Sequence, residues 1–291
     1  NDITALDEVA FTDAASGATV AGRLRRNGLA LNWHDGTGSA ALMPLARSYL
    51  SGLTLANNGT DPTNDVDIAV GVAVNSTGAA LMRLTSALVK QLDAAWAVGT
   101  NAGGLDTGSI ANTTYHVHLI QRVDTGVVDV LFSASATAPT MPTSYTLFRR
   151  IGSFIRAAGA ITAFRQRGSE FLLNVPVTDV DTTNPGTSAV TAALASIPAG
   201  VQFQAILTLW VGDGTPVASY VLLTALDQAD TVPAARLAHL GTGAGDQNPE
   251  TTLIVRTDTS RQIRYRCSGS DGSFRISLVT HGWWDTFGRD V

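Results

Sequence analysis

Short runs of apolar and β-branched residues recur along the whole chain, separated by clusters of Gly, Asn, Asp and Pro. Residues 114–120 read TYHVHLI, an alternation that places Tyr115, Val117 and Leu119 on one face and His116 and His118 on the other. The same strand pattern appears in DVDIAVGVAV (65–74), GVVDVLFSAS (126–135) and FRRIGSFIRA (148–157). It returns in FQAILTLWVGDG (203–214), ASYVLLTALDQ (218–228), TTLIVRTDTS (251–260), QIRYRCSGS (262–270) and FRISLVTHGWW (274–284). Many short strands with turn residues between them predict an all-β fold, an antiparallel β-sandwich of jelly-roll-like type. The best helix candidates are short: ALVKQLDAAW (87–96) and SAVTAALASI (188–197), the second stopped by Pro198 and Gly200.

Turn chemistry divides the chain. Asn27-Gly28 is a strong hairpin signal, and Leu29, Leu31 and Trp33 alternate beyond it. A second turn is expected in DGTGSA (35–40), so residues 1–47 read as a small β module. Residues 48–175 form a dense β region with a hairpin turning at Asp124, Thr125 and Gly126 and a Pro-rich surface loop at 137–145. Residues 176–291 form a second sandwich half or a second domain.

Composition narrows the function classes. Charged residues are 15% of 291, against roughly 25% in typical soluble domains. A weakly charged surface suits burial against other subunits, so a homo-oligomer is expected. Net charge is −5, which argues against a general nucleic-acid binder. No apolar run approaches the ~18 residues of a membrane span. The chain starts NDITALDEVAF, without Met, basic n-region or apolar h-region, so a trimmed or processed N-terminus is expected and no signal peptide. The single cysteine, Cys267, reads as a buried structural thiol.

Candidate chemistry is sparse. On a strand, His116 and His118 lie roughly 6.6–7 Å apart on one face, near enough to converge on a metal. A zinc site needs three or four ligands, and neither His34, His239 nor His281 comes with a spaced partner. The expectation is therefore no metal and no cofactor, with the two histidines facing a subunit contact. The acidic clusters at 61–67 and 179–181 read as turn chemistry. Nucleophile elbows and phosphate loops are absent, and with only Glu8, Glu170 and Glu250 as glutamates a paired-carboxylate glycosidase is a minority reading. No enzyme is expected. Strand alternation turns one of Trp283 and Trp284 inward and the other outward. Trp283, Trp284 and Tyr265 are the candidates for stacking on a receptor sugar.

The strings YLSGLTLANNGTDPTNDVDIAVGVA, LDAAWAVGTNAGGLDTGSIANTTYHVHLIQRVDTGVVDVLFS and SYTLFRRIGSF resemble a family of tailed-phage and prophage virion proteins, labelled tail-fibre or tail-associated, with relatives in phage-like gene transfer particles. The likeness covers residues 48–175 and extends more weakly through IRYRCSGSDGSFRISLVTHGWWDTFGRDV. It implies a virion component assembled in the bacterial cytoplasm as a homotrimer. Residues 1–47 would attach to other virion proteins, and distal loops would meet a host-surface polysaccharide. It carries over no catalytic residue. The alternatives are a purely structural tail or capsid-decorating protein and a glycan depolymerase.

Overall fold

The computed structural model describes residues 23–27, 30–34, 39–41, 46–214, 218–243 and 248–287, and every regular element among them is a β-strand. First come β1 (Arg23–Asn27), β2 (Ala30–His34) and β3 (Ser39–Ala41), an antiparallel sheet of their own. β1 and β2 pair up to Asn27↔Ala30, the hairpin that Asn27-Gly28 predicts; its connecting residues, and those of the 35–40 turn up to residue 38, lie outside the described set. Next are β4 (Leu50–Gly52), β5 (Leu55–Asn57), β6 (Asp65–Ile68), β7 (Gly71–Val74), β8 (Leu81–Leu84) and β9 (Leu88–Ala95). β10 (Ala102–Leu105), β11 (Thr114–Arg122), β12 (Val128–Ser133) and β13 (Tyr145–Ala157) complete the first half. β14 (Ala160–Ile161), β15 (Phe164–Arg167), β16 (Glu170–Thr183), β17 (Val190–Ala193) and β18 (Gln204–Gly212) follow. The last are β19 (Tyr220–Thr224), β20 (Leu240–Gly241), β21 (Glu250–Arg256), β22 (Gln262–Cys267) and β23 (Arg275–Trp284).

Thirteen strands form one long sheet in the order β14-β13-β11-β12-β10-β9-β6-β5-β15-β16-β23-β18-β21. It is antiparallel except at β10, which runs parallel to both β9 and β12. Two small sheets, β4-β7-β8 and β17-β22-β19-β20, cover one side of it. A single apolar cluster joins the layers: Met82 and Leu84 of β8 meet the Val117 and Leu119 region, while Val221 and Ile263 of the four-stranded sheet meet that of Leu209 and Ile276. The architecture is a β-sandwich whose long layer serves both halves of the chain. β16 runs unbroken through residues 175 and 176, where the sequence pattern places the junction of the two halves.

A sheet of this length curls, because open sheets rarely exceed about ten twisted strands. Here β13 comes round to face β5 and β16. The contact is possible because position 152 is glycine: a Cβ there would meet the Leu55 side chain and the Phe171 ring. A buried fork fastens the closure. Arg150 on β13 donates Nη1 to Asp285 Oδ2 at 2.6 Å and Nη2 to Oδ1 at 2.7 Å, just beyond the end of β23. Arg149 donates to the Phe287 carbonyl at 2.7 Å.

Neither helix candidate is helical; 87–96 contains β9 and 188–197 contains β17. Leu88 and Leu92 stand four apart, a spacing that fits a strand as well as a helix turn. The residue that decides is Lys90, whose side chain points inward between them and is fully buried. The chain's one lysine bridges to Asp129 at 3.1 Å and donates to the carbonyls of Ala97 (2.6 Å) and Gly99 (3.1 Å). Asp129 in turn accepts from the N–H of Gly99 at 2.7 Å and of Val130 at 2.6 Å. All three donors of Lys90 are used, and both oxygens of Asp129 accept, which is the condition for burying two charges. Lys90→Ala leaves Asp129 buried and unpaired and should cost roughly 3–5 kcal/mol in urea unfolding. The double variant Lys90→Met/Asp129→Leu should recover most of that loss.

Candidate functional site

The two histidines lie at the centre of the first half. β11 sits between β12 and β13, and its residues from Thr114 to Ile120 are all buried. Tyr115, Val117 and Leu119 enter the main core, as the alternation predicts. His116 and His118 face the other way, yet they do not reach a surface that a second subunit could touch. Their own chain covers them, through Ser153, the loop after β12, Phe148 and the segment around Gly200. The subunit-contact reading is therefore corrected: this face is closed by loops whose return no strand periodicity reveals.

Within that polar pocket, Arg150 donates to the Ser153 hydroxyl at 3.0 Å, and Ser153 lies 2.8 Å from His116 Nδ1. His118 Nε2 donates to the Ser135 carbonyl at 3.0 Å. Burial, with the Arg150 charge and then His118 adding to it, pushes His116 down to about 3. Burial, against the Ser135 bond and with Arg150, pushes His118 down to about 4. Each imidazole is held neutral and engages one ring nitrogen in this network, Nδ1 of His116 and Nε2 of His118. No group of three or more metal-ligating side chains exists among the described residues.

The two tryptophans separate as adjacent strand residues should, but a bulge decides which is inside. At Gly282 the register of β23 slips against both β16 and β18, with φ at 155°. A Cβ there would run into the Phe171 carbonyl. The extra residue inverts the alternation that Ile276, Leu278 and Thr280 set up. Trp283 is thereby turned inward, 1% exposed, stacked on Phe171 at 5.3 Å and edge-on to Phe203. Trp284 is turned out and is 37% exposed. Tyr265, 6% exposed, packs in the core beside Cys267. Trp283 and Tyr265 are thus core residues and not a sugar platform, and Trp284 alone of the three candidates faces solvent. Burial pushes the Cys267 thiol up to about 12, as expected of an inert structural cysteine.

A cleft lies elsewhere, where three connections meet. It holds about 670 Å³. Trp96 comes from just beyond β9, Arg122 from the end of β11 and Val127 from the turn after it, Met141 and Pro142 from the β12–β13 loop and Tyr145 from the start of β13, with Asp106 beyond β10. Trp96 is fixed by its indole N–H, which donates to the Val130 carbonyl at 3.0 Å, and by Tyr145 set edge-on at 5.1 Å. Beneath it Lys90 Nζ lies 5.4 Å from the ring centre, so the buried Lys90–Asp129 pair supports the cleft floor. Arg122 grips Asp124 with two bonds (2.6 and 3.0 Å) and lies 5.9 Å from the Tyr145 ring. Asp106 Oδ2 accepts from Thr140 N–H at 2.8 Å and ties down the Pro-rich loop. A rigid half-buried indole flanked by a guanidinium and a carboxylate can stack on a sugar ring and hydrogen-bond its hydroxyls. The sequence pattern locates two of these walls, the turn at 124–126 and the loop at 137–145. It misses Trp96, whose only signal is its position at the end of a segment that also fits a helix.

A second trough of about 340 Å³ lies on the outer face of β16-β23-β18-β21, lined by Asp181, Trp210, Glu250 and Arg275. Its Asp181 is tied to Arg275, which holds the carboxyl below the usual range.

No protein-family model matches the chain, and no curated protein matches it. Among solved structures, the chain is similar to the T13 particle of infectious bursal disease virus at 13% identity, over 80% of this chain and 70% of that one, with a TM-score of 0.19. It is also similar to the Gx strain of infectious bursal disease virus (13% identity, 84% and 76% covered, TM-score 0.20) and to the VP2 subviral particle of that virus (10%, 82% and 74%, 0.17). These scores are far below those of chains that share a fold, and they fix neither topology nor function.

The histidine network yields a pH prediction. The unfolded chain binds a proton at each imidazole near pH 6.5, whereas the folded chain resists until about pH 4 and about pH 3. Stability from this source is complete above pH 6.5 and falls as pH drops through that window, by up to about 1.4 kcal/mol per pH unit per histidine. The thermal midpoint should therefore fall steeply between pH 6.5 and 4. The double variant His116→Gln/His118→Gln should show a shallower slope, and an unchanged slope would show that other groups carry it.

Proposed function

We propose that this protein is a structural component of a phage or phage-like particle that contributes to attachment at a host-surface polysaccharide through the Trp96 cleft. The cleft carries the binding part of this reading: an open trough, floored by an indole that two neighbours hold in place, on loops borne by a rigid sheet. The virion part draws on the resemblance of residues 48–175 to tailed-phage virion proteins, on the low charge content and on the all-β architecture. Residues 1–47 are then the attachment region. A depolymerase is disfavoured at this cleft, because Asp106 is the one carboxylate among its lining residues and glycosidases use two across the scissile bond.

The test is a glycan array followed by calorimetry on the best polysaccharide. Removing a central tryptophan anchor costs about 2 kcal/mol or more, so Trp96→Ala should weaken binding by about 30-fold, with Trp284→Ala near wild type. Loss through Trp284→Ala with Trp96→Ala unaffected would move the site to the outer face of β23. Absence of binding to host cells and their polysaccharides would leave a purely structural tail or capsid-decorating role.

A further inference from the structure

The long sheet ends differently at its two edges. β14, at one edge, is two residues long. β21, at the other, has seven residues and is the longest edge strand among the described residues. Its inner side pairs with β18, and two backbone bonds just beyond its ends set the phase: Thr257 N–H to the Phe203 carbonyl and Val211 N–H to the Pro249 carbonyl. In an antiparallel ladder, alternate residues bond to the same neighbour. Thr251, Leu253 and Val255 therefore bond to β18, and the N–H and C=O groups of Glu250, Thr252, Ile254 and Arg256 point to the outer edge. No strand among the described residues pairs there. β21 has no bulge, proline or lysine to protect that edge, and Ile254 is 56% exposed.

We infer that the outer edge of β21 pairs antiparallel with β21 of a second copy of this chain, about a two-fold axis at Leu253. The segment ETTLIVR is self-complementary in that register. Glu250 falls opposite Arg256, and Thr252 falls opposite Ile254, each pair made twice by symmetry. All four residues are those whose backbone groups face outward, so the pairs are the hydrogen-bonded ones. Opposite charges meet at both ends of the joint. A register centred on Thr252 leaves Arg256 without a partner strand residue, and one centred on Ile254 leaves Glu250 without one; only the Leu253 centre matches both charges. Arg256 holds Asp227 of its own chain through Nη2 on an exposed surface, and its remaining donors can reach the partner's carboxylate. The contact is isologous, as two-fold interfaces are, and is independent of the glycan reading.

The test uses the full chain in light scattering coupled to size exclusion. The expected mass is twice the 30.3 kDa of one chain. Ile254→Pro removes an N–H that points away from β18, so it should give monomer while the far-ultraviolet spectrum keeps its β form. Should that variant fail to fold, Glu250→Arg, an exposed substitution, should also give monomer, and Glu250→Arg/Arg256→Glu should restore the dimer. Leu253→Cys places two thiols across the axis and should give a covalent dimer on oxidation, because the native Cys267 is buried. A wild-type monomer, a mass of three chains, or a dimer that Glu250→Arg leaves intact overturns the inference.

Discussion

The fork between Arg150 and Asp285 is the contact on which the closed form of this protein depends. A sheet that grows by adding neighbours has no built-in reason to bring its first-half strands back against its last ones. Here β13 and the end of β23, far apart in the sheet order, are held by two short charge-assisted bonds in a dry interior. The surroundings are built to the same end. Gly152 removes the side chain that would keep Leu55 and Phe171 away, and Phe171 stacks on Trp283, two residues before Asp285. Gly282 supplies the bulge that turns Trp283 inward in the first place. Arg150 also reaches Ser153, and its charge helps to keep His116 and His118 neutral. One buried cation thus closes the sheet and adds to the burial that keeps the network behind β11 neutral.

Two buried cations organise two different things. Arg150 acts on the global closure, while Lys90 acts locally on the loop between β9 and β10. Because Trp96 begins that loop, the ion pair, the loop and the indole form a single stiff unit at the cleft floor. Stiffness matters for the proposed binding, since a platform already in place loses little freedom when a sugar ring settles on it.

Much of the fold is legible in the sequence, because a strand's period of two is local. The segments at 114–120, 203–214, 262–270 and 274–284 lie in or across β-strands, and Tyr115, Val117 and Leu119 face the core that their alternation requires. What fails is whatever depends on a distant partner. Lys90 reads as polar until Asp129 appears beside it, so β9 resembles a helix. His116 and His118 read as a surface pair because the covering loops, around Ser135 and around Gly200, are distant from β11 in sequence. Trp283 and Trp284 are adjacent in sequence, and only the bulge at Gly282 determines which is buried. The cleft has the same character: its walls are visible as turns, but the indole between them becomes a site only when three connections converge.

Closure of the sheet rests on Asp285 and Arg150. Hydrogen–deuterium exchange on Asp285→Ala, followed by mass spectrometry of peptides from both halves, tests it directly. If the fork closes the sheet, β11, β13, β16 and β23 lose protection together while β19 and β22 keep theirs. Loss confined to the residues around 285 would show that the aromatic packing closes the sheet without the fork, and would contradict it.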